Sequence, residues 1–204
     1  SDVYYNAQIV HGSSNCWNSG GGHLTLYEVL EDMYAFLDRN PSETVIVSVK
    51  QDYGNDINAL ANDVNTLIDL RSKYWFTGSY TPSLGSVRGK CVLATRISEV
   101  GRGISLSWGD QGSDGGAVDS GWMKVQDRYK MSPSSKWSNA AKPMLDEKKP
   151  NGVWYVNFMS TTGGGISGVE PNAATMKGYF RTYEMMNNKC YGIICLDYAD
   201  EDLT

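Results

Sequence analysis

Six side chains stand where short β-prone runs end, and their types suit acid/base and anion-binding chemistry. They are His11 in "QIVHG", Lys50 in "ETVIVSVK", Arg96 in "KCVLATR", Asp127 and Tyr129 in "VQDRYK", and Asp197 in "IICLDY". A histidine gives and takes protons near neutral pH. Lysine and arginine can hold an anion such as phosphate. Carboxylates can orient a histidine or accept hydrogen bonds from sugar hydroxyls, and a tyrosine ring can stack on a sugar's apolar face. Asp52, Asn157 and Ser160 stand at similar run ends. Together the set points to a polyol phosphate as ligand. Each residue alone also has a plain structural reading. A lone strand-end histidine is more often structural than catalytic, Lys50 and Arg96 would serve as solvated ends of buried strands, Asp127 as a turn residue, and Tyr129 as a core ring with its hydroxyl at the rim. His23, in "SGGGHLTL", reads as a loop residue ahead of a helix.

The elements that must position these groups follow from periodicity. In residues 25–40, Leu26, Val29, Leu30, Met33 and Leu37 recur on one helical face. Thr25 and Glu28 fit a capping box, and Asn40-Pro41 a stop. The β-branched run 43–50 reads as a buried strand. Residues 56–71 read as a second amphipathic helix with Ile57, Leu60, Val64, Leu67 and Ile68 inward. A turn and a buried strand occupy 84–96, and a Gly/Ser-rich stretch, 98–121, reads as a long loop. Then come a strand (122–130), a polar helix (133–147), a strand (152–160), the loop "TTGGGISG", the helix "NAATMKGYFRTY" and a last strand (191–200). With "AQIVHG" this makes six countable strands. The alternation predicts an α/β fold with a parallel sheet, and leaves a doubly wound sheet and a (β/α)₈ barrel both open. In either, functional residues gather at the carboxyl ends of strands.

With 41% hydrophobic and 11% aromatic residues in 204, the composition fits one globular domain or a large piece of one, not a disordered chain. A net charge of -5 argues against bulk nucleic-acid binding. No apolar run reaches the roughly 18–20 residues of a membrane span. Cys16, Cys91, Cys190 and Cys195 form no CxxC pair. Cys91 and Cys195 lie in apolar, strand-like runs and read as buried thiols rather than a disulfide or zinc ligands. The P-loop, GxSxG and HExxH motifs are missing from the sequence, and no metal site is expected. Trp108 and Trp122 bracket the long loop; they suit a membrane interface, though loop packing is the plainer reading.

The segments "FLDRNPSETVIVSVK" and "LGSVRGKCVLATR", with "VQDRYK", "WYVNFMS" and "GIICLDYAD" in that order, resemble the bacterial phosphatidylinositol-specific phospholipase C family over essentially the whole chain. The resemblance implies an irregular (β/α)₈ barrel. It implies cleavage of phosphatidylinositol, or of glycosylated phosphatidylinositol (GPI) anchors, to diacylglycerol and inositol 1,2-cyclic phosphate. Two histidines act as base and acid in that family, and an arginine, or a calcium ion in some relatives, offsets the phosphate charge. Carried over by position, His11 resembles the general acid and Asp197 the carboxylate that orients the general-base histidine. Lys50, Arg96, Asp127 and Tyr129 resemble pocket and inositol-binding residues, with Asp52 in the same segment as Lys50.

The departures shape the expectation. The family's "GTHDS"-like and "DIR"-like segments do not occur in this sequence, and six strands are two short of eight. We therefore expect a single barrel domain, 1–204, truncated at the N-terminus and shortened at the C-terminus, with exposed sheet edges. A second chain supplying strands is one way to complete it. The implied setting is a secreted protein meeting a lipid surface, with no nucleic-acid partner, no transmembrane segment and no cofactor unless the missing strands bring calcium. The alternatives are a catalytically incomplete inositol- or lipid-binding remnant and a related glycerophosphodiester phosphodiesterase.

Overall fold

A computed structural model describes residues 7–113, 118–119, 121–163 and 168–199. The chain forms two compact units, 1–107 and 108–204.

Unit 1 begins with a short antiparallel hairpin, β1 (Val10–His11) on β2 (Ser14–Asn15). This corrects the expectation that "AQIVHG" joins a parallel sheet. Gly12, at φ +57°, turns the chain back immediately after His11, in a conformation that only glycine adopts freely. Helix α1 (Leu26–Arg39) follows. Its capping box is formed as expected. Thr25 Oγ1 accepts the Glu28 N–H, and the Glu28 carboxylate accepts the Thr25 N–H at 2.8 Å. Leu26, Leu30, Tyr34 and Leu37 are buried, while Val29 and Met33 are half-buried. Strand β3 (Thr44–Val49), helix α2 (Ile57–Leu70), β4 (Trp75–Phe76), β5 (Lys90–Thr95) and β6 (Ile104–Ser105) complete the unit. On α2, Val64, Leu67 and Ile68 are buried as expected, with Ala61 beside them, while Ile57 and Leu60 are half-buried.

All pairings of β5 are parallel, to β3, β4 and β6. Strand β5 is the centre, buried from Cys91 to Thr95. Strand β3 is not the doubly buried strand its sequence predicts. Among the described residues it pairs with β5 alone, and Ile46 is 40% exposed. The core joins Leu30, Leu37, Val47, Leu67, Ile68 and Leu93, each worth about 1.5–3 kcal/mol on full burial. Tyr34 belongs to this core because its hydroxyl accepts the Trp75 indole N–H at 2.7 Å. Burial pushes that phenol up to about 12.

Unit 2 holds β7 (Val118–Asp119), β8 (Met123–Gln126), β9 (Trp154–Phe158) and β10 (Ile193–Cys195), in sheet order β10-β9-β8-β7. The pairs β8·β9 and β9·β10 are parallel, and β7·β8 is antiparallel. The Gly/Ser-rich stretch expected as one long loop thus carries β6 and β7; its residues 114–117 and 120 lie outside the described residues, as do 164–167 of "TTGGGISG". Between β8 and β9 run α3 (Pro133–Lys136), a π-turn (Trp137–Ala141) and α4 (Lys142–Asp146). Helix α5 (Val169–Arg181) precedes β10. Ala141, Leu145, Met159 and Met176 form the core of this region. The segment 133–147, read from sequence as polar, buries Ala140, Ala141, Met144 and Leu145.

Candidate functional site

In unit 1 the predicted groups gather at the β1–β2 hairpin and the end of β3. His11 closes β1, pairs with Ser14 and is exposed. The Gly12 N–H donates to Asp52 Oδ2 at 2.6 Å, and Lys50 Nζ lies 2.5 Å from Asp52 Oδ1. Lys50 and Asp52 follow β3 directly, so one carboxylate ties the end of β3 to the turn that carries His11. The Gly12 amide, then Lys50 and more weakly His11, hold the Asp52 carboxyl below its ordinary 3.8. A groove of about 660 Å³ adjoins them, lined by apolar Ile9, Val29, Met33 and Ile46 and by Lys50 and Asp52. Arg96 follows β5. Its backbone N–H donates to the Val49 carbonyl at 2.8 Å, which sets it beside the end of β3, and the residue is half-buried.

In unit 2, Asp127 is the first residue after β8. Its backbone N–H donates to Gln111 Oε1 at 2.7 Å, and its Oδ2 accepts the Trp108 indole N–H at 3.1 Å. Trp108 also packs on Phe158, ring centroids 6.1 Å apart, so it has the packing role that was the plainer of its two readings. Tyr129 is half-buried, and Lys130 Nζ lies 5.4 Å from its ring centroid. A cation thus occupies one face of the ring. Asp197 comes two residues after β10. Burial pushes its carboxyl above 3.8, and the Lys136 ammonium pulls it partly back. The structure therefore groups His11, Lys50, Asp52 and Arg96 in one unit, and Asp127, Tyr129 and Asp197 in the other.

Sequence reasoning passed over Lys136. It is 0% exposed, and its Nζ donates to Gln126 Oε1 at 2.6 Å and to the Arg128 carbonyl at 2.8 Å. Gln126 Nε2 donates in turn to Asn157 Oδ1 at 2.6 Å, and Asn157 Nδ2 to the Ala141 carbonyl at 2.9 Å. Asn157 is thus a fully buried tie, not the open strand-end group its position suggested. The signal for Lys136 was its place in an i, i+4, i+8 series with Ala140 and Met144, an apolar face. The four cysteines are free thiols. Burial pushes Cys91 up to about 12 and raises Cys195, which leaves both unreactive. Among the described residues, no group of three His, Cys, Asp or Glu could hold a metal ion, and no helix is long and apolar enough to cross a membrane.

No protein-family model matches the chain. A 1-phosphatidylinositol phosphodiesterase of Staphylococcus aureus strain Newman is 30% identical over 167 residues, covering 70% of this chain and 52% of that protein. The corresponding protein of strain NCTC 8325 is 30% identical, with 49% of its length covered. The chain thus spans about half the length of the curated relatives it matches. Among solved structures, S. aureus phosphatidylinositol-specific phospholipase C superposes with a TM-score of 0.73 at 23% identity, over 94% of this chain and 68% of that one. The Listeria monocytogenes enzyme gives 0.71 at 19% identity, over 98% and 72%. These likenesses place the fold in the irregular (β/α)₈ class. By sequence the chain is similar to part of the bacterial 1-phosphatidylinositol phosphodiesterases, and by fold it is similar to bacterial phosphatidylinositol-specific phospholipases C.

Proposed function

We propose that this chain carries the acid and inositol-binding side of a phosphatidylinositol-specific phospholipase C-type active site. The observation that supports this most is the tie from Asp52 to Gly12, which fixes His11 next to Lys50 at the end of a parallel strand. In this reading the inositol 2-hydroxyl gives its proton to a general base, the role a second histidine fills in the resembled family, and attacks phosphorus, and the bond from phosphorus to the diacylglycerol oxygen breaks. His11 gives its proton to the departing oxygen, leaving diacylglycerol and inositol 1,2-cyclic phosphate. In a second step the neutral imidazole takes a proton from the water that opens the cyclic phosphate. Lys50 and Arg96 offset the phosphate charge. Within unit 2, Asp127 offers an acceptor for hydroxyls and Tyr129 a ring for stacking on a sugar, the roles that the resemblance implies for them. Asp197 is kept to orient a general-base histidine. Calcium, used by some relatives, would offset the phosphate charge if bound; the described residues offer no matching donor cluster, and the steps above use none.

The substrate in this reading is phosphatidylinositol or a GPI anchor at a membrane surface. One solved structure of the S. aureus enzyme concerns modulation of its membrane binding, which supports that setting. A secreted location belongs to the same proposal. A second chain supplying strands has no support in the structure or its relatives. A second reading, inositol binding without turnover, is favoured by one fact. The only other histidine in these 204 residues is His23. Its ring nitrogens face Gln8 Oε1 at 3.2 Å and Asn15 Nδ2 at 3.4 Å, and it packs edge-on to Trp17 at 4.6 Å.

The test is ³¹P NMR of phosphatidylinositol vesicles incubated with this polypeptide, with EGTA and with calcium. Cyclic phosphate formed in EGTA supports the metal-independent reaction. Formation only with calcium moves the charge-offsetting role to the ion. No turnover, with inositol binding seen by calorimetry, selects the binding reading. Cleavage of glycerophosphocholine instead would select the glycerophosphodiester alternative and overturn the proposal.

A further inference from the structure

The lysine that sequence reasoning passed over brackets a predicted site residue. Lys136 Nζ bonds the side chain of the residue before Asp127 and the main chain of the residue after it. Gln126 Oε1 also accepts the Arg128 N–H at 2.9 Å. One ammonium group therefore fixes the backbone on both sides of Asp127 as the chain leaves β8. The same group is buried without an ion-pair partner within 4.0 Å among the described residues. A lysine at 0% exposure is costly unless its charge is answered. The charges that face it are the carboxylates of Asp127, after β8, and Asp197, after β10, together with the opposing guanidinium of Arg128. The hydrogen-bonding shell of Lys136 reaches β9 through Gln126 and Asn157. Removing the lysine would leave Gln126 Oε1 with only the Arg128 amide and the Arg128 carbonyl without this donor.

We propose that Lys136 is a positioning residue: it clamps the segment Gln126–Arg128 and supplies the buried positive charge shared by Asp127 and Asp197. This rests on the phospholipase reading only in so far as those two aspartates are ligand-facing groups there. Burial lowers the Lys136 ammonium to about 7, and the two carboxylates oppose that fall. The shared charge is therefore fullest in mildly acid solution, is about half present near neutrality, and is lost as pH rises further.

The experiment follows the Lys136 side chain by ¹³C NMR on the full chain labelled at lysine Cε. Asp127→Asn and Asp197→Asn each keep an acceptor oxygen but remove the charge. Each is expected to lower the Lys136 titration midpoint by about one pH unit, a roughly tenfold loss of proton affinity. In a second arm, Lys136→Met is expected to raise the Asp197 carboxyl midpoint and to speed exchange of the Arg128 amide about tenfold. Asp52 in unit 1 is the internal control. If neither aspartate variant moves the Lys136 midpoint, the shared charge is refuted. If Lys136→Met leaves the Arg128 amide as protected as before, the clamp is refuted. Should Lys136→Met not fold, the aspartate variants still decide the charge, and Lys136→Gln replaces it in the exchange measurement. None of these readouts needs turnover, so a chain without phospholipase activity leaves them legible, and their failure leaves the phospholipase proposal intact.

Discussion

Substituting Asp52 by alanine should release the turn that carries His11 while leaving the core of unit 1 in place. The carboxylate makes two contacts, a hydrogen bond from Gly12 at 2.6 Å and an ion pair with Lys50 at 2.5 Å. A hydrogen bond to a charged group contributes about 1.5–3 kcal/mol net, and an exposed ion pair about 0–1 kcal/mol. The Lys50 and Asp52 side chains are 49% and 27% exposed. Solvent screening therefore places the loss near the low end, about 1.5 kcal/mol, or roughly tenfold in the local opening equilibrium. The assay is hydrogen exchange read by NMR. The Gly12 amide should exchange about tenfold faster in Asp52→Ala, and by an intermediate factor in Asp52→Asn, which keeps an acceptor but loses the charge. The amides of β5 should not change. The pH dependence has a definite sign. The folded carboxyl lies below its ordinary 3.8, so the tie is fully present above 3.8 and is lost as pH falls through the lower folded value. Unaltered Gly12 exchange in Asp52→Ala would refute the reasoning, and so would an equal loss of protection in β5, which would mean global destabilisation.

Lys136 sets a pH dependence of the opposite kind. With a folded value of about 7 against an ordinary 10.5, the unfolded chain holds a proton between those values that the folded chain lacks. Stability should therefore rise with pH across that window, by at most about 1.4 kcal/mol per unit. Urea titrations at pH 7 to 9 should show that slope flattened in Lys136→Met. At Gly192, φ is +78°, and a Cβ would lie 2.6 Å from the Tyr155 carbonyl oxygen. Gly192→Ala should destabilise unit 2 by more than about 1 kcal/mol, visible as a lower Tm. Under the proposed function, His11→Ala should cut turnover by roughly 10²–10⁴-fold, measured as cyclic phosphate release. Tyr129→Ala should chiefly weaken inositol affinity, which calorimetry would read directly.

What the sequence disclosed and what it hid divide along physical lines. Helices α1 and α2 were legible because their apolar residues repeat at helical spacing, and α1 also because Thr25 and Glu28 fit a capping box; the Asp56 cap of α2 emerged only in the structure. Strand β5 was legible as a continuous apolar run. Strands β4 and β6, two residues each, were not, because nothing that short has a period. Strand β3 reads the same as β5, yet it is half open. Burial of a strand depends on what pairs with its edges, and that lies in other parts of the chain. At the site, the strand-end positions of Lys50, Asp127 and Asp197 were readable from chain order alone. The Asp52 tie to Gly12 spans 40 residues, and no local pattern announces it. The buried Lys136 was hidden by chemistry, since a lysine in a polar segment is ordinarily a solvated one.

The π-turn at Trp137–Ala141 has a consequence for how this region tolerates length changes. Such a turn holds one residue more than a regular helix would. Removing a single exposed residue there, such as Ser138, would let α3 and α4 run on as one continuous helix, which locally is the more comfortable structure. A regular helix turns by about 100° per residue. In the continuous helix Lys136 and Met144 would stand seven residues apart, about two full turns, so the deletion would keep the ammonium and the apolar side chains on the faces they now occupy. An added residue has no such compensation and would rotate Met144 and Leu145 away from Lys136, so this turn should accept the loss of one residue far better than the gain of one.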